Sequence, residues 1–470
     1  MKKSLFTFLV LLFLGIPGKQ NQAAANTKPI SLDPQNPHYF FYHGKPTLLI
    51  TSGEHYGAVL NLDFDYKTYL DELKAHGLNL TRTFSGEYIE SPASFNIRHN
   101  TLAPKHNRFI CPWQRVSDEN EYKFDLTKWD PAYFKRLKKF VRAAKKRNVI
   151  VELTLFCPFY GDEQWKLSPL NAHNNINGWG TMNRTDVYTM DKSGKLLVVE
   201  ENMVHKIVDE LKNFDNVMYE ICNEPYFGGV TLEWQRHIAE IINDAEKDFR
   251  WQHLITQNIA NVKKKINNPS PMVSVFNFHY ASPPMAVAQN YHLDKVIGNN
   301  ETGFKGNKDD TYRKVAWHFI LAGGGLFNNL DYSFAVGEED GTYQYPSTQP
   351  GGGSLALRKQ LGFLKSFMEH FDFIKMKPDH DFIKNELQDK ASVQVLAEKG
   401  RQYAIYLSGS AQDQLTVALP QGAYEATWVN PKECTVIKQE EIKATGAQTL
   451  LHVPGYKEDI ALRLVKKARG

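Results

Sequence analysis

Short apolar runs alternate with segments of helical periodicity over most of the chain, and this alternation restricts the fold more than any other feature. The intervening segments are amphipathic, and one of them starts at Asp130-Pro131, a helix N-cap followed by proline. Eight runs have the length and composition of buried strands: Thr47–Thr51, Leu78–Phe84, Val149–Phe156, Val217–Cys222, Leu254–Gln257, Val273–Phe278, Val296–Gly298 and Gly325–Leu330. Repeated strand–helix units form parallel sheets, and eight of them predict an α/β fold of the (β/α)8 TIM barrel type.

The pattern changes near Lys377, and this change divides the chain into two parts. From Ala391 onward, short strand-like runs separated by turn residues dominate, which is typical of a small antiparallel β-sandwich. We predict a barrel domain over residues 30–376 and a β-sandwich domain over residues 377–470, with the sandwich packed against the barrel. A doubly wound open sheet is the rival architecture for the first part, but no GxGxxG motif follows an early strand.

The first 25 residues have the organisation of an export signal. Met1-Lys2-Lys3 is basic, Leu5–Ile16 is apolar, and Ala23-Ala24-Ala25 offers small residues for cleavage. The apolar run is shorter than the roughly 20 residues that a spanning helix needs. We predict a signal peptide at residues 1–25, an exported protein that is periplasmic or secreted, and no membrane anchor.

Charge, cysteine content and missing motifs exclude several classes of protein. The chain has 56 Lys and Arg against 52 Asp and Glu, a balance that disfavours nucleic acid as a partner. Its four cysteines include no CxxC pair and the chain is large, so a disulfide scaffold and a zinc ribbon are both excluded, although a bridge between Cys111 and Cys157 stays open. The HExxH, P-loop, GxSxG and strand-one HxH motifs are all missing. We therefore expect neither a metal nor a cofactor.

Two of the predicted strands lead into glutamate. The fourth run continues to Glu224, followed by Pro225, and the seventh continues to Glu301. In a closed barrel the fourth and seventh strands lie across the mouth from each other, at the face where barrel enzymes place their active sites. A lone glutamate at a strand end is usually a solvated acid. Two carboxyl groups that face each other across one cleft are what glycoside hydrolysis requires, and we predict that these two are the catalytic pair.

Two long connections follow predicted strands, at residues 85–130 and 157–200, and both are rich in aromatic residues. They extend from the barrel face that carries the two glutamates. Sugar rings present CH groups that suit flat aromatic surfaces. Four aromatic side chains are candidates for stacking on sugars, with loop packing as the alternative: Trp113, Trp165, Trp179 and Tyr226. Glu54 and His55, after the first strand, are candidates for binding sugar hydroxyls on the same positional ground.

These residues resemble those of clan A glycoside hydrolases, including glycoside hydrolase family 5. Residues 217–225 look like the acid/base motif of the clan, and Glu301 is similar to its strand-seven nucleophile. Arg82 matches the strand-two arginine near the nucleophile, and residues 277–280 resemble the strand-six segment that carries His and Tyr. The C-terminal tail is similar to the small β-sandwich of some bacterial members. The resemblance covers most of residues 40–470.

The resemblance implies a retaining double displacement on β-type bonds of a poly- or oligosaccharide. Glu301 would attack the anomeric carbon, while Glu224 would protonate the leaving oxygen and later activate water. Arg82 and a tyrosine such as Tyr280 would hold the nucleophile ionised, and Asn223 would bond the hydroxyl next to the anomeric carbon. Repulsion from the nucleophile's charge would favour a protonated acid/base.

Three departures from the family pattern bear on sugar specificity. Tyr280 comes directly after His279 instead of two residues later, no tryptophan follows the eighth strand, and the third strand ends at Cys157 without a histidine. Arg82 and His279 also have structural alternatives, the first as a partner of Glu220 inside the barrel and the second as a core histidine. A non-catalytic glycan-binding protein on a barrel scaffold is the alternative to an enzyme, because fold alone does not determine function.

Overall fold

The computed structural model of this chain describes residues 28–92, 94–116, 123–446 and 448–468. Its strands, in chain order, are β1 (Ser31–Leu32), β2 (Phe40–Tyr42), β3 (Lys45–Thr47), β4 (Leu49–Gly53), β5 (Leu80–Phe84), β6 (Trp113–Arg115), β7 (Phe124–Trp129), β8 (Ile150–Phe156), β9 (Val217–Cys222), β10 (Leu254–Asn261), β11 (Val273–His279), β12 (Val296–Glu301), β13 (Leu326–Leu330), β14 (Lys377–Pro378), β15 (Ser392–Glu398), β16 (Gln402–Ser408), β17 (Gln414–Ala418), β18 (Gly422–Asn430), β19 (Thr435–Ala444), β20 (Gln448–His452) and β21 (Asp459–Lys466). Its α-helices are α1 (Tyr66–Ala75), α2 (Pro131–Lys145), α3 (Asp162–Trp165), α4 (Leu196–Leu211), α5 (Leu232–Glu246), α6 (Met285–Asn290), α7 (Asp309–Leu321) and α8 (Leu355–Glu369).

The barrel is one parallel sheet whose eight strands run in the order β4-β13-β12-β11-β10-β9-β8-β5. Each strand coincides with one of the predicted apolar runs. The ring closes between β4 and β5 through Asn79, whose side chain accepts from the Ile50 amide at 3.0 Å and donates to the Leu48 carbonyl at 2.8 Å. The strands are buried along their whole length or nearly so, because side chains fill the interior and helices cover the outside. The predicted TIM barrel is confirmed.

Capping residues determine where the helices begin. Asp130 accepts a hydrogen bond from the Ala132 amide at 2.8 Å, and Pro131 is the first residue of α2, as predicted. Ser354 caps α8 in the same way, through the Leu357 amide at 3.0 Å. These two helices follow the long connections after β5 and β13. The caps therefore anchor one end of each loop at the barrel mouth.

Antiparallel sheets follow the barrel, as predicted. A six-stranded sheet has the order β14-β15-β16-β21-β18-β19, and β17 pairs with β20. They enclose a second hydrophobic core that includes Tyr403, Tyr424 and Trp428. Other side chains of the same sheet, including Ala404 and Tyr406, belong to the core of the barrel instead. The six-stranded sheet therefore packs one face on its own small core and the other on the barrel.

A buried ion pair joins the two parts. Arg313 on α7 donates to Asp459 at 2.9 Å and to Glu458 at 2.7 Å, and Tyr406 donates to the same aspartate at 2.8 Å. The Tyr406 ring also stacks on Trp317, with 5.2 Å between ring centroids. Apolar packing and satisfied charges at one contact favour a fixed orientation of the sheet against the barrel.

Replacement of Arg313 by methionine is expected to lower the free energy of unfolding by about 3–5 kcal/mol, because it leaves a buried carboxylate without its cation. Urea unfolding followed by circular dichroism measures this change. Lys314→Met, which removes a half-buried ion pair within α7 one residue away, is the control and is expected to cost less than about 0.5 kcal/mol. An equal, small effect of both substitutions would contradict this role of the ion pair.

Export was predicted from an N-terminal signal segment whose apolar run is too short to span a membrane. The signal segment at residues 1–25 lies outside the described residues. Among the helices that the structure describes, none is long and apolar enough to cross a membrane.

All four cysteines are described and all four are free thiols. The bridge between Cys111 and Cys157 is therefore absent from the structure.

Candidate active site

The two strand-end glutamates meet at the carboxyl end of the barrel. Glu301 is the last residue of β12, and Glu224 lies two residues beyond the end of β9. Both are buried. A carboxylate oxygen of one lies within 4.8 Å of a carboxylate oxygen of the other, and a ring nitrogen of His279 lies within the same distance of both.

Hydrogen-bond donors surround the carboxylate of Glu301. Its Oε2 accepts from the Tyr56 hydroxyl at 2.7 Å and from Arg82 at 3.2 Å, and its Oε1 accepts from the Tyr280 hydroxyl at 2.6 Å. Burial by itself would raise the pKa of Glu301. The charge and hydrogen bond of His279, with Arg82 and Tyr280, overcome this effect and hold the pKa well below its ordinary value. The group is therefore ionised at neutral pH, as a nucleophile must be.

Glu224 has different partners from those of Glu301. Its Oε2 accepts from the Tyr160 hydroxyl at 2.7 Å, and its Oε1 lies 3.1 Å from the hydroxyl of Tyr226 and 3.1 Å from Nδ1 of His279. No arginine bonds it among the described residues. The two carboxylates therefore have unequal environments, which is the usual basis for unequal roles in acid–base chemistry.

His279 lies between the two glutamates. Its Nδ1 is 3.1 Å from Glu224 and 3.4 Å from Glu301. Burial by itself would lower the pKa of His279, but the charge of Glu301 and the hydrogen bonds raise it to about 9. Its Nε2 lies 2.6 Å from the side-chain nitrogen of Asn258. The side-chain oxygen of Asn258 has no partner among the described residues, and flipping this amide would bring that oxygen to Nε2 as a hydrogen-bond acceptor. A protonated His279 weakens the repulsion between the carboxylates of Glu224 and Glu301 that was predicted from the sequence.

Arg82 combines the two roles left open by the sequence. Its guanidinium donates to Glu220 at 2.8 and 2.5 Å, and its other edge reaches Glu301 and, at 2.6 Å, Asn223. The arginine and Glu220 are both fully buried. Glu220 therefore balances the charge of Arg82 inside the barrel and points the guanidinium at the mouth, where it contacts the nucleophile.

Three residues at the mouth have backbone angles in the left-handed region. Tyr56 has a φ of 61°, Glu224 a φ of 34° and Tyr280 a φ of 53°. Such conformations cost about 1–3 kcal/mol each for residues other than glycine. Tyr56 and Tyr280 direct their hydroxyls at Glu301, and Glu224 is itself one of the pair. The left-handed turn allows Tyr280, directly after His279, to reach Glu301 from its unusual position.

A cleft of about 480 Å³ opens above the pair. One wall follows the loops after β5, β8 and β9, where the rings of Phe95, Tyr160 and Phe227 contact one another at centroid distances of 5.3 and 5.8 Å. On the opposite wall Phe304, in the loop after β12, lines the cleft, and Tyr332 after β13 packs against it with 6.3 Å between ring centroids. Apolar rings on both sides are suited to the faces of a sugar.

The predicted stacking residues do not form these walls. Trp113 and Trp165 are 1% and 7% exposed and belong to the barrel core. Trp179 is half-buried outside the cleft and has Lys195 over its ring at 5.3 Å. Tyr226 lies beside the pair and bonds Glu224 through its hydroxyl instead of offering its face. These aromatic residues mainly fill the long loops, and phenylalanines form the rim.

Glu54 and His55 have different surroundings although they are neighbours. The carboxylate of Glu54 accepts from the Gly57 and Ala58 amides at 2.9 and 3.1 Å and from the Thr101 hydroxyl at 2.6 Å. It holds the loop after β4 against the loop after β5 and does not line the cleft described above. His55 lines the cleft.

Several residues of the site were not identified from the sequence. Tyr56 and Tyr160 each bond one of the glutamates, and Glu90 and Tyr332 line or border the cleft near His55. All of them lie in the loops that follow strands. A tyrosine within a few residues of the end of a barrel strand could have indicated Tyr56. This signal is weak, because tyrosine is also common in such loops as a packing residue.

In the described ranges, one group of possible metal ligands lies close enough together to share a cation: Glu224, His279 and Glu301. Their surroundings fit protons better than a metal ion. Arg82 already supplies positive charge, and tyrosine hydroxyls occupy carboxylate oxygens on both glutamates. We assign no metal ligand to this site.

Comparison with known proteins agrees with this arrangement. The family model for cellulase (glycosyl hydrolase family 5) matches residues 63–315, more than half of the chain. No curated protein matches the sequence significantly. Among solved structures, a glycoside hydrolase family 5 protein from Bacteroides vulgatus ATCC 8482 has 13% identity and a TM-score of 0.63, with 94% of each chain covered.

Two further structures have the same fold. A protein named glycoside hydrolase has 15% identity and a TM-score of 0.64, over 95% of this chain and 98% of that one. The endo-1,4-beta-mannanase from Rhizomucor miehei has 12% identity and a TM-score of 0.51, over 73% of this chain and all of that one. The family model and the barrel with its paired strand-end glutamates lead to one conclusion: the chain belongs to glycosyl hydrolase family 5.

Proposed function

We propose that this protein is a retaining glycoside hydrolase that cleaves β-glycosidic bonds in a poly- or oligosaccharide. The observation that carries the proposal is that a carboxylate oxygen of Glu224 lies within 4.8 Å of a carboxylate oxygen of Glu301. Retaining enzymes hold their carboxyl groups roughly 5–5.5 Å apart, whereas inverting enzymes need about 6.5–9.5 Å to admit a water. The short separation supports direct attack by one carboxylate.

In the first step, Glu301 attacks the anomeric carbon while Glu224 gives its proton to the leaving oxygen. In the second step, Glu224 takes a proton from water, and the water displaces Glu301. Tyr56, Arg82 and Tyr280 orient the nucleophile, and release of their hydrogen bonds accompanies formation of the ester. Asn223, which lines the cleft beside Glu224, is placed to bind a hydroxyl of the reacting sugar.

We also propose export, on the evidence of the basic, apolar and small-residue order of residues 1–25. A carbohydrate substrate follows from the family and from the two aromatic walls. The similarity to a mannanase at 12% identity concerns the fold. The sugar and linkage are therefore to be found with a panel of polysaccharides and aryl glycosides.

Replacement of Glu224 by alanine is expected to lower kcat/KM by about 10³-fold or more on an unactivated disaccharide and far less on a 2,4-dinitrophenyl glycoside, which needs no proton. Added azide should restore turnover of the dinitrophenyl substrate and give a β-glycosyl azide, because azide needs no general base. Glu233→Ala, exposed on α5, is the matched control. Equal losses on both substrates, with no azide product, would remove Glu224 from the acid/base role.

The configuration of the first-formed product tests retention. Proton NMR during hydrolysis should show the β-anomer before mutarotation produces the α-anomer. If the α-anomer appears first, the mechanism is inverting and Glu301 is not a nucleophile. If the protein binds glycans but cleaves none of a broad panel, the non-catalytic alternative replaces this proposal.

A further inference from the structure

The two ends of the cleft differ in polarity. At the β10 end, beyond Glu224, the lining side chains Phe227 and Val262 are apolar and 43% and 37% exposed, with the half-buried Asn261 as their polar neighbour. At the β4 end, the lining side chains His55 and Glu90 are polar and only 8% and 5% exposed. A polar, enclosed end is suited to the hydroxyls of a sugar, and an open apolar end accepts a wider range of groups.

Loops close the β4 end. The loop after β5 bonds the loop after β13 twice: Asn96 donates to the Thr348 carbonyl at 2.8 Å, and the Arg98 amide donates to Gln349 at 3.1 Å. Beneath them, Glu54 ties the loop after β4 to the same loop after β5, as described above. Three connections therefore meet at this end of the cleft, where an extended polysaccharide would otherwise have to leave it.

Two buried polar atoms at the closed end have no partner among the described residues. They are Nδ1 of His55 and the hydroxyl of Tyr332, and the two rings lie 5.9 Å apart between centroids. The opposite nitrogen of His55 lies 3.4 Å from Glu90. Tyr332 is 4% exposed. Buried polar groups are nearly always paired, and an unpaired one is costly. Both atoms lie just beneath the surface of the cleft, and a ligand hydroxyl would satisfy them after a small turn of the His55 and Tyr332 side chains.

These atoms lie close to the reacting pair. The ring of His55 stacks beside Tyr56 at 5.3 Å between centroids, and the Tyr56 hydroxyl bonds Glu301 at 2.7 Å. One aromatic ring thus separates His55 from the nucleophile. A sugar ring has a similar size, so a ligand that starts at the nucleophile meets the closed end after about one residue.

We propose that the β4 end is a blind pocket for a single terminal sugar and that the enzyme is exo-acting, releasing one residue at a time from the non-reducing end. His55 and the Tyr332 hydroxyl bind hydroxyls of that sugar, and the leaving group extends past Phe227 and Val262. This inference rests on the proposed function, because it takes Glu224 and Glu301 as the reacting pair.

The products of the unaltered protein test the proposal. The substrates are β-linked hexasaccharides of glucose, mannose and xylose whose reducing ends have been converted to alditols, together with 4-nitrophenyl β-glycosides of the same sugars. We expect the nitrophenyl monosaccharides to be cleaved, and early products of a hexasaccharide to be one monosaccharide and the pentasaccharide alditol. Internal di- and trisaccharides at early times would overturn the proposal and leave the proposed function intact.

Tyr332→Phe tests the unpartnered hydroxyl with minimal change in shape. We expect it to lower kcat/KM by roughly tenfold, the effect of one lost hydrogen bond, without a change in melting temperature. Deoxygenation of the sugar at the hydroxyl it binds should cost the unaltered enzyme the same factor and cost Tyr332→Phe nothing further. Tyr133→Phe removes another buried hydroxyl that has no partner among the described residues, on α2 and outside the cleft; it is the matched control and should leave kcat/KM unchanged. Additive losses for every deoxy sugar would contradict the assignment of Tyr332.

Failure of the proposed function is distinguishable from failure of this inference. If no substrate turns over, the proposed function fails. Saturation-transfer NMR with the same hexasaccharide alditols then tests whether the pocket binds only the terminal sugar. Contacts confined to the terminal non-reducing residue would support a blind pocket. Equal contacts along several internal residues would overturn it.

Discussion

Replacement of Glu301 by glutamine is expected to lower kcat by about 10⁴-fold or more, because it removes the group that forms the covalent intermediate. Glutamine has nearly the same shape, its oxygen can accept from one of the Tyr56 and Tyr280 hydroxyls, and its NH2 group can donate to the other, so the fold should be retained. The measurement is kcat on a 2,4-dinitrophenyl glycoside of the sugar that the panel identifies. A 2-deoxy-2-fluoro glycoside should also label the unaltered enzyme at residue 301, detected by mass spectrometry of peptides.

Glu87 offers a matched control for this substitution. It is buried near the mouth, bonds the Cys157 amide at 2.6 Å and the Tyr188 hydroxyl at 2.7 Å, and does not line the cleft. Burial raises the pKa of Glu87 to about 8, so it is mostly neutral at pH 7, and Glu87→Gln should change kcat less than about threefold. Labelling at another residue, or full activity of Glu301→Gln, would show that the nucleophile lies elsewhere.

Replacement of Arg82 by leucine is expected to lower both stability and activity. The free energy of unfolding should fall by about 3–5 kcal/mol, because Glu220 is left as a buried charge without its cation. Activity should fall by about 10²–10³-fold, because the guanidinium no longer holds Glu301 ionised and oriented. Urea unfolding and steady-state kinetics measure the two effects separately.

A double substitution separates the causes of the two effects. Arg82→Leu combined with Glu220→Leu should recover part of the lost stability, since no unpaired carboxylate remains on that side, yet activity should stay low. Arg82→Lys keeps the charge without the planar fork and should fall between leucine and arginine in both measurements. If the double substitution is as unstable as the sum of the two single ones, the ion pair does not account for the loss.

The barrel was predictable because its signal is repeated along the chain. Each strand is a short apolar run bounded by turn residues or helix caps, and eight such runs with helices between them fit few other architectures. Glu224 and Glu301 were found for a related reason. Parallel strands end at the same edge of a barrel, so the position of a residue at a strand end already places it at the mouth.

The sequence left two roles open for the loop tryptophans, because a large apolar side chain in a loop can stack on a sugar or pack beneath the loop. Trp113 and Trp165 cover the core beneath the long connections, whereas the exposed rim consists of Phe95, Phe227 and Phe304. Composition gives no information on which face of a loop points inward. The burial of each ring depends on contacts with other loops that lie far away in the sequence.

Local patterns in the sequence determined the order of strands and helices, the caps that bound them, and the two glutamates at strand ends, because those features depend on neighbours along the chain. The tertiary structure decided how the site works. Arg82 and His279 come from different strands and hold Glu301 ionised, and the rings of His55 and Tyr332 meet only after the barrel closes. Distances between such groups follow from packing, and no local pattern records them.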